Sequence, residues 1–195
     1  YIAHNEFAEA LIVDPGNEED SIRQYIESHH LQVLGILNTH AHYDHIGAVF
    51  GLKEIYEVPF YLHSGDSKLL KHANLYRKLF DGEASIKIPE VDHLIDQLEI
   101  PLQIGHFKVS FLMTPGHTQG SVCVFISEHL FTGDTLFKRK IGRTDLPGGN
   151  KKSLKDSLKT LSSLPLETIL YPGHGKLTTI EEELKENDAW IEAIR

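Results

Sequence analysis

Apolar residues come along this chain in short runs, most of them bounded by Gly, Pro, Asp or charged positions. Val33-Leu34-Gly35-Ile36-Leu37 is nearly continuous, the pattern of a strand covered on both faces. Together with that run, near 32–38, similar stretches predict strands near 1–4, 8–13, 59–62, 106–113, 121–126, 129–132 and 167–170. After Tyr43 the period changes: Ile46, Val49, Phe50 and Ile55 stand at helical spacing and predict a helix over 45–57. Leu69, Leu70, Leu75 and Leu79, with basic residues between them, predict a covering helix over 66–79. Further helices are expected over 17–29, 151–163 and 179–192. The last of these opens with Thr178-Thr179 ahead of Glu181-Glu182-Glu183, a capped and acidic first turn. No repeat or low-complexity linker interrupts the pattern, so 1–195 is read as one domain.

The chemistry is concentrated where the first buried strand meets its helix. Thr39-His-Ala-His-Tyr-Asp-His45 puts His40, His42, Asp44 and His45 within a few residues of each other. Imidazole nitrogen and carboxylate oxygen are ligands that zinc prefers and that iron and manganese accept. In extended chain, side chains two apart face the same way, which pairs His40 with His42. Asp44 falls near a helix start, where a carboxylate is favoured. Three later apolar runs each end in a Gly-containing turn bearing one strong ligand: Thr114-Pro-Gly-His117, Gly133-Asp134 and Tyr171-Pro-Gly-His-Gly175. Strand ends opening into loops are where functional residues concentrate, and glycine lets such loops pack closely. The candidates are His40, His42, Asp44, His45, His117, Asp134 and His174. They are too many for one tetrahedral ion and suit two. The natural division gives His40, His42 and His117 to one metal and Asp44, His45 and His174 to the other, with Asp134 bridging through its two oxygens.

These segments resemble the metallo-β-lactamase-fold hydrolases, whose signature is Thr-His-x-His-x-Asp-His followed by a distant His, Asp and His. The matching segments run from Asp14-Pro15-Gly16 to Gly175. Within that superfamily, Thr114-Pro-Gly-His-Thr-Gln-Gly120, Phe131-Thr-Gly-Asp-Thr-Leu-Phe137, Ile141-Gly-Arg-Thr-Asp145 and Tyr171-Pro-Gly-His-Gly175 look like the glyoxalase II (hydroxyacylglutathione hydrolase) branch. The resemblance implies an α/β (α+β) four-layer αββα sandwich with the metals at one end of two sheets. It implies two divalent ions, zinc first and iron or manganese as substitutes, and a thioester such as S-lactoylglutathione as small-molecule substrate. Two such ions would lower the pKa of a shared water. Asp44 would ligate one ion and orient that nucleophile, which makes it the candidate catalytic residue.

Asp14 reads as a turn residue before Pro15-Gly16; the resemblance offers a second role, supporting a ligating histidine from outside. Aspartate at position 134 stands where the fold's true β-lactamases usually place Cys, which disfavours antibiotic hydrolysis. The ligand loops carry no obvious proton donor for a poor leaving group, which fits a thiolate. About twenty residues follow Gly175, so the helical domain that holds glutathione in glyoxalase II is expected to be missing. Lys138-Arg139-Lys140 and Arg143 are the cations left to anchor a substrate carboxylate. Arg143 is the best placed, with an ion pair to Asp145 as its competing role. The runner-up activities are a persulfide dioxygenase using a single iron, and another ester, lactone or phosphoester hydrolase on the same centre.

Bulk properties narrow the partners. A formal charge of −9 argues against a nucleic-acid backbone as substrate. No apolar run is long enough to span a bilayer. One cysteine, Cys123, in an apolar run, reads as a small buried hydrophobe and fits a reducing, cytoplasmic compartment. The chain opens on a strand-like run without an initiator Met, which leaves room for a targeting segment upstream. His4, His29, His30, His63, His72, His93, His106 and His129 lie outside any ligand spacing and are expected at helix ends or on the surface.

Overall fold

The computed structural model describes residues 1–80, 82 and 85–195. Its first half builds a five-stranded sheet in chain order: β1 (Ile2–His4), β2 (Glu9–Val13), β3 (Gln32–Leu37), β4 (Phe60–Leu62) and β5 (His93–Leu94). β1 is antiparallel to β2, and the remaining neighbours are parallel. The crossovers carry α1 (Glu19–Ser28), α2 (Tyr43–Ile46), α3 (Val49–Tyr56), α4 (Ser67–Lys71) and α5 (Ala73–Phe80).

The second half supplies β6 (Leu102–Ile104), β7 (Phe107–Met113), β8 (Val122–Ile126) and β9 (His129–Gly133), then a small hairpin of β10 (Leu136–Phe137) and β11 (Lys140–Ile141). After α6 (Lys151–Leu161) come β12 (Ile169–Pro172), β13 (Thr178–Thr179), α7 (Ile180–Glu186) and α8 (Asp188–Ile194). The six-stranded sheet runs β13-β12-β9-β8-β7-β6.

Strand alternation sorts the side chains into layers. In β2, Ala10 and Ile12 pack against the first set of helices, while Leu11 and Val13 face the second sheet. Between the sheets, Leu11, Val13 and Leu37 meet Val109, Phe111, Val124 and Phe131. On the far side, Cys123, Leu130 and Leu170 pack against Leu154, Leu158 and Leu161 of α6 and against Trp190. The result is the expected four-layer αββα sandwich.

Three predicted helices are broken. The 45–57 helix is interrupted between α2 and α3, where Gly47 is pressed against the 14–17 turn; a Cβ there would lie 2.0 Å from Asn17 Oδ1. The 66–79 helix breaks at His72, whose Nδ1 donates to the Lys68 carbonyl at 2.8 Å. The 179–192 helix breaks at Asn187, which accepts from Trp190 N at 3.1 Å and donates to Glu183 Oε2 at 2.8 Å. β5, β6, β10, β11 and β13 were not expected, because two or three residues carry too little alternation to read.

One consequence of the topology positions the chemistry. β7 and β9 are each antiparallel to β8, and β9 is parallel to β12, so β7, β9 and β12 all run the same way. Their carboxyl ends therefore share one edge, and the turns after them carry His117, Asp134 and His174.

Candidate metal centre

The loop after β3 and the first turn of α2 bring His40, His42, Asp44 and His45 to that same edge from the other sheet. His42 Nδ1 lies 2.9 Å from His117 Nε2. His45 Nε2 lies 3.3 Å from His174 Nε2, and His174 Nε2 lies 3.2 Å from Asp44 Oδ2. Asp134 stands between the groups, Oδ1 3.4 Å from His45 Nε2 and Oδ2 3.6 Å from His117 Nε2 and 3.7 Å from His174 Nε2. His40, His42 and His117 form one set whose ligand atoms lie within 4.8 Å of one another, and Asp44, His45 and His174 form another. None of the other histidines joins such a set among the described residues.

A divalent cation fits this arrangement. His40 Nε2 and Asp134 Oδ1 are both buried with no hydrogen-bond partner, a costly state for lone pairs unless a cation completes it. The electrostatics agree. Burial first, and then the neighbouring imidazoles, hold His40 well below the ordinary histidine pKa and His42 down to about 4, so both are neutral ligands near pH 7. Burial also works against the charged form of Asp44, yet hydrogen bonding to His174 and the charge of His45 bring it down to about 2. Asp134 is lowered against the same burial by His45. His45 is raised well above the usual value, because the Asp14 and Asp134 carboxylates overcome its desolvation. His174 is raised by its bond to Asp44. The carboxylates thus demand positive charge at this point, whether proton or metal.

Partners behind the cluster fix the ring orientations. Asp14 Oδ2 is 3.1 Å from His45 Nδ1 and accepts the Thr39 hydroxyl at 2.6 Å, while Asp14 Oδ1 accepts Thr39 N at 2.8 Å. With its proton committed to Asp14, Thr39 Oγ1 accepts from His40 Nδ1 at 3.1 Å. His117 Nδ1 donates to the Arg143 carbonyl at 2.8 Å. His40, His45 and His117 therefore turn Nε2 inward, while His42 presents Nδ1 to the cluster. Asp14 is both a turn residue, with φ 45°, and a support for His45. Two glycines are required for closeness: a Cβ on Gly133 would lie 2.2 Å from Thr39 Oγ1, and one on Gly173 2.3 Å from Asp134 Oδ1.

One supporting residue escaped the sequence reading. Asp66 is 1 % exposed and joins two ligand loops. Its Oδ2 accepts Ala41 N at 3.0 Å, between His40 and His42, and the Thr118 hydroxyl at 2.8 Å, beside His117. Its Oδ1 accepts Gly120 N at 2.7 Å. Burial pushes this carboxyl up, and the three donors pull the other way. In sequence, Ser64-Gly65-Asp66 reads only as a turn entering a helix, and no local signal carries the longer connection.

A cavity of about 440 Å³ opens over the cluster, with His42, Asp44, His117, Asp134 and His174 on its floor. Arg143 lines it, but its guanidinium bonds Asp145 through two contacts, at 2.8 and 2.7 Å. Lys138 and Arg139 pair with Glu182 and Glu186 on α7 and are not among the residues lining the cavity. Tyr43 and Tyr76 also line the cavity, phenolic side chains that the ligand-loop reading did not anticipate. Cys123 is buried as expected, its thiol pushed up to about 12 by burial. No helix among the described residues is long and apolar enough to cross a membrane.

A cluster of imidazoles and carboxylates under an open cavity, at one end of a two-sheet sandwich, is the centre of a metal-dependent hydrolase. The chain belongs to the metallo-beta-lactamase superfamily, whose family model matches residues 1–174. It is 40 % identical over 182 residues to the probable metallo-hydrolase YqgX of Bacillus subtilis, covering 92 % of this chain and 86 % of the relative. It is 34 % identical over 187 residues to the hydroxyacylglutathione hydrolase GloC of Haemophilus influenzae, covering 91 % and 85 %. Among solved structures it is similar to BLEG-1 B3 metallo-beta-lactamase, with TM-score 0.91, 38 % identity and coverage of 97 % and 92 %. It is also similar to TTHA1623 in a di-iron-bound form, with TM-score 0.85, 37 % identity and coverage of 97 % and 93 %.

Proposed function

We propose that this protein hydrolyses thioesters, with 2-hydroxyacyl thioesters such as S-lactoylglutathione as the substrate class, at a centre of two divalent ions. The observation that carries the reading is Asp134, with one carboxylate oxygen toward His45 and the other toward His117 and His174, between two complete ligand triads. His40, His42 and His117 would hold one ion, Asp44, His45 and His174 the other, and Asp134 both. Bound there, such ions lower the pKa of water and polarise a carbonyl oxygen.

The chain's own residues supply the rest. Asp44 is ionised, with its side chain 38 % exposed at the cavity, and can orient an attacking water by accepting a hydrogen bond from it. Asp14 and the Arg143 carbonyl hold His45 and His117 in the tautomers that a ligand needs. A thiolate leaves without protonation, so the reaction asks little of the tyrosines on the wall. The likeness to GloC supports the thioester class.

The test is anaerobic hydrolysis of S-lactoylglutathione by metal-loaded protein, followed by loss of thioester absorbance. Turnover abolished by a chelator and restored by Zn²⁺ supports the reading; a loaded protein without turnover sinks it. The likeness to BLEG-1 B3 metallo-beta-lactamase keeps a β-lactam in the same assay, despite Asp134. A second reading, a persulfide dioxygenase with one iron, draws on the relative crystallised with two irons, since iron is a metal this fold takes. One iron per chain, with oxygen uptake on glutathione persulfide, selects it.

A further inference from the structure

The cavity over the metal centre has a polar floor, but one of its walls is apolar. That wall is Leu69 of α4 with Tyr76 and Phe80 of α5. Ala73 and Arg77 turn the inner face of α5 into the protein, and Tyr76 and Phe80, one helical turn apart, stand on the adjoining face. Their rings lie 6.5 Å apart at 21°, a single continuous apolar surface. Phe80 is 53 % exposed. Unlike Leu75 and Leu79, which are also exposed on α5, Phe80 and Tyr76 line the cavity, and pockets with apolar walls and a few polar groups are the form that small-molecule sites take.

Arg143, Leu146 and Pro147 also line the cavity. Glutathione carries two carboxylates and an ammonium, and the cavity offers it one guanidinium already bonded to Asp145. Leu69 and Phe80 offer a charged thiol carrier neither a hydrogen bond nor an ion pair, and an apolar acyl group gains most from burial against them. The acyl group is then the part of the substrate that meets them.

We propose that Leu69, Tyr76 and Phe80 form the acyl subsite of this cavity and select apolar acyl groups, aryl groups best of all, next to the scissile carbonyl. This rests on the thioesterase reading. The experiment compares kcat/KM for S-lactoylglutathione and S-mandeloylglutathione, which share the thiol and the 2-hydroxyl and differ by phenyl for methyl. Seating the phenyl group favours the mandeloyl ester by roughly tenfold or more. Phe80→Ala removes most of that ratio, Tyr76→Phe keeps it, and Leu79→Ala, which lies outside the cavity lining, leaves it unchanged. A readout independent of turnover is calorimetric binding of mandelate against lactate to the metal-free protein, with mandelate the tighter ligand in wild type only.

Lactoyl turnover with no aryl preference, or a preference that survives Phe80→Ala, overturns the subsite and leaves the thioesterase standing. A preference that disappears when the same acyl groups are carried on N-acetylcysteamine overturns it too, since selection would then follow the thiol. A metal-loaded protein that hydrolyses neither thioester sinks both.

Discussion

Asp66→Asn is the most exacting check on how the ligand loops are held. The carboxylate takes three hydrogen bonds, two on Oδ2 from Ala41 N and Thr118 Oγ1, and one on Oδ1 from Gly120 N. Asparagine keeps one oxygen. If that oxygen replaces Oδ2, the amide NH₂ confronts the Gly120 N–H, donor against donor, in a site with no exposure to water. If the amide is flipped, it confronts Ala41 N–H instead. A bond to a charged acceptor is worth about 1.5–3 kcal/mol net, and an unsatisfied buried donor costs about 1–3 kcal/mol. Removing a buried charge returns part of this, so the expected destabilisation is about 2–4 kcal/mol, read from urea denaturation of metal-free protein.

The second consequence is local. Ala41 and Thr118 adjoin His40, His42 and His117, and losing support of this kind weakens metal binding by about 10–100-fold. Competition titration with a chromophoric chelator should show one of two metal equivalents weakened and the other, on Asp44, His45 and His174, nearly unchanged. A variant within about 0.5 kcal/mol of wild type, the scatter of ordinary surface substitutions, and with both equivalents intact would refute the assignment of Asp66 as a clamp.

Other expectations follow from single contacts. Gly173→Ala places a methyl 2.3 Å from Asp134 Oδ1 and 2.7 Å from His45 Cε1, so metal stoichiometry should fall while far-ultraviolet circular dichroism is retained. Chelation should lower Tm and re-addition of Zn²⁺ restore it, since a ligand at a hundred times its Kd stabilises by about 2.7 kcal/mol; a Tm indifferent to metal would count against the centre. Glu9 is held down to about 2, from an ordinary 4.5, by the His106 N–H, Asn5 and the His106 ring. Its contribution to stability is therefore present above about pH 4.5 and is lost as pH falls through about 2. The Tm difference between wild type and Glu9→Gln should be full at pH 6 and much reduced by pH 2, and a difference constant with pH would contradict it.

The site was legible because its densest part is local. His40, His42, Asp44 and His45 need only a strand end and a helix start to converge, and both are written in the periods around them. His117, Asp134 and His174 were legible by a weaker signal, glycine turns at strand ends, and the parallel run of β7, β9 and β12 explains why those ends meet. What sequence did not carry is whatever depends on a distant partner. Gly47 looks like any helical glycine until Asn17 is against it. Arg143 could be an anchor or half of an ion pair, and its bonds to Asp145, like its place on the cavity lining, come only from the fold. Asp66 was invisible for the same reason, since its partners stand 25, 52 and 54 residues away.

The two ligand triads share a property of chain topology. His42 meets His117 across 75 residues of sequence, and His45 meets His174 across 129. In each pair one member belongs to the first sheet's half of the chain and the other to the second's. An ion held by either pair is thus a rivet through the seam of the sandwich, closing a loop whose entropy the unfolded chain would otherwise recover. Loss of metal therefore loosens the join between the two sheets while their apolar core still holds them, and hydrogen exchange in the stripped protein should first rise at the strand ends that carry the ligands.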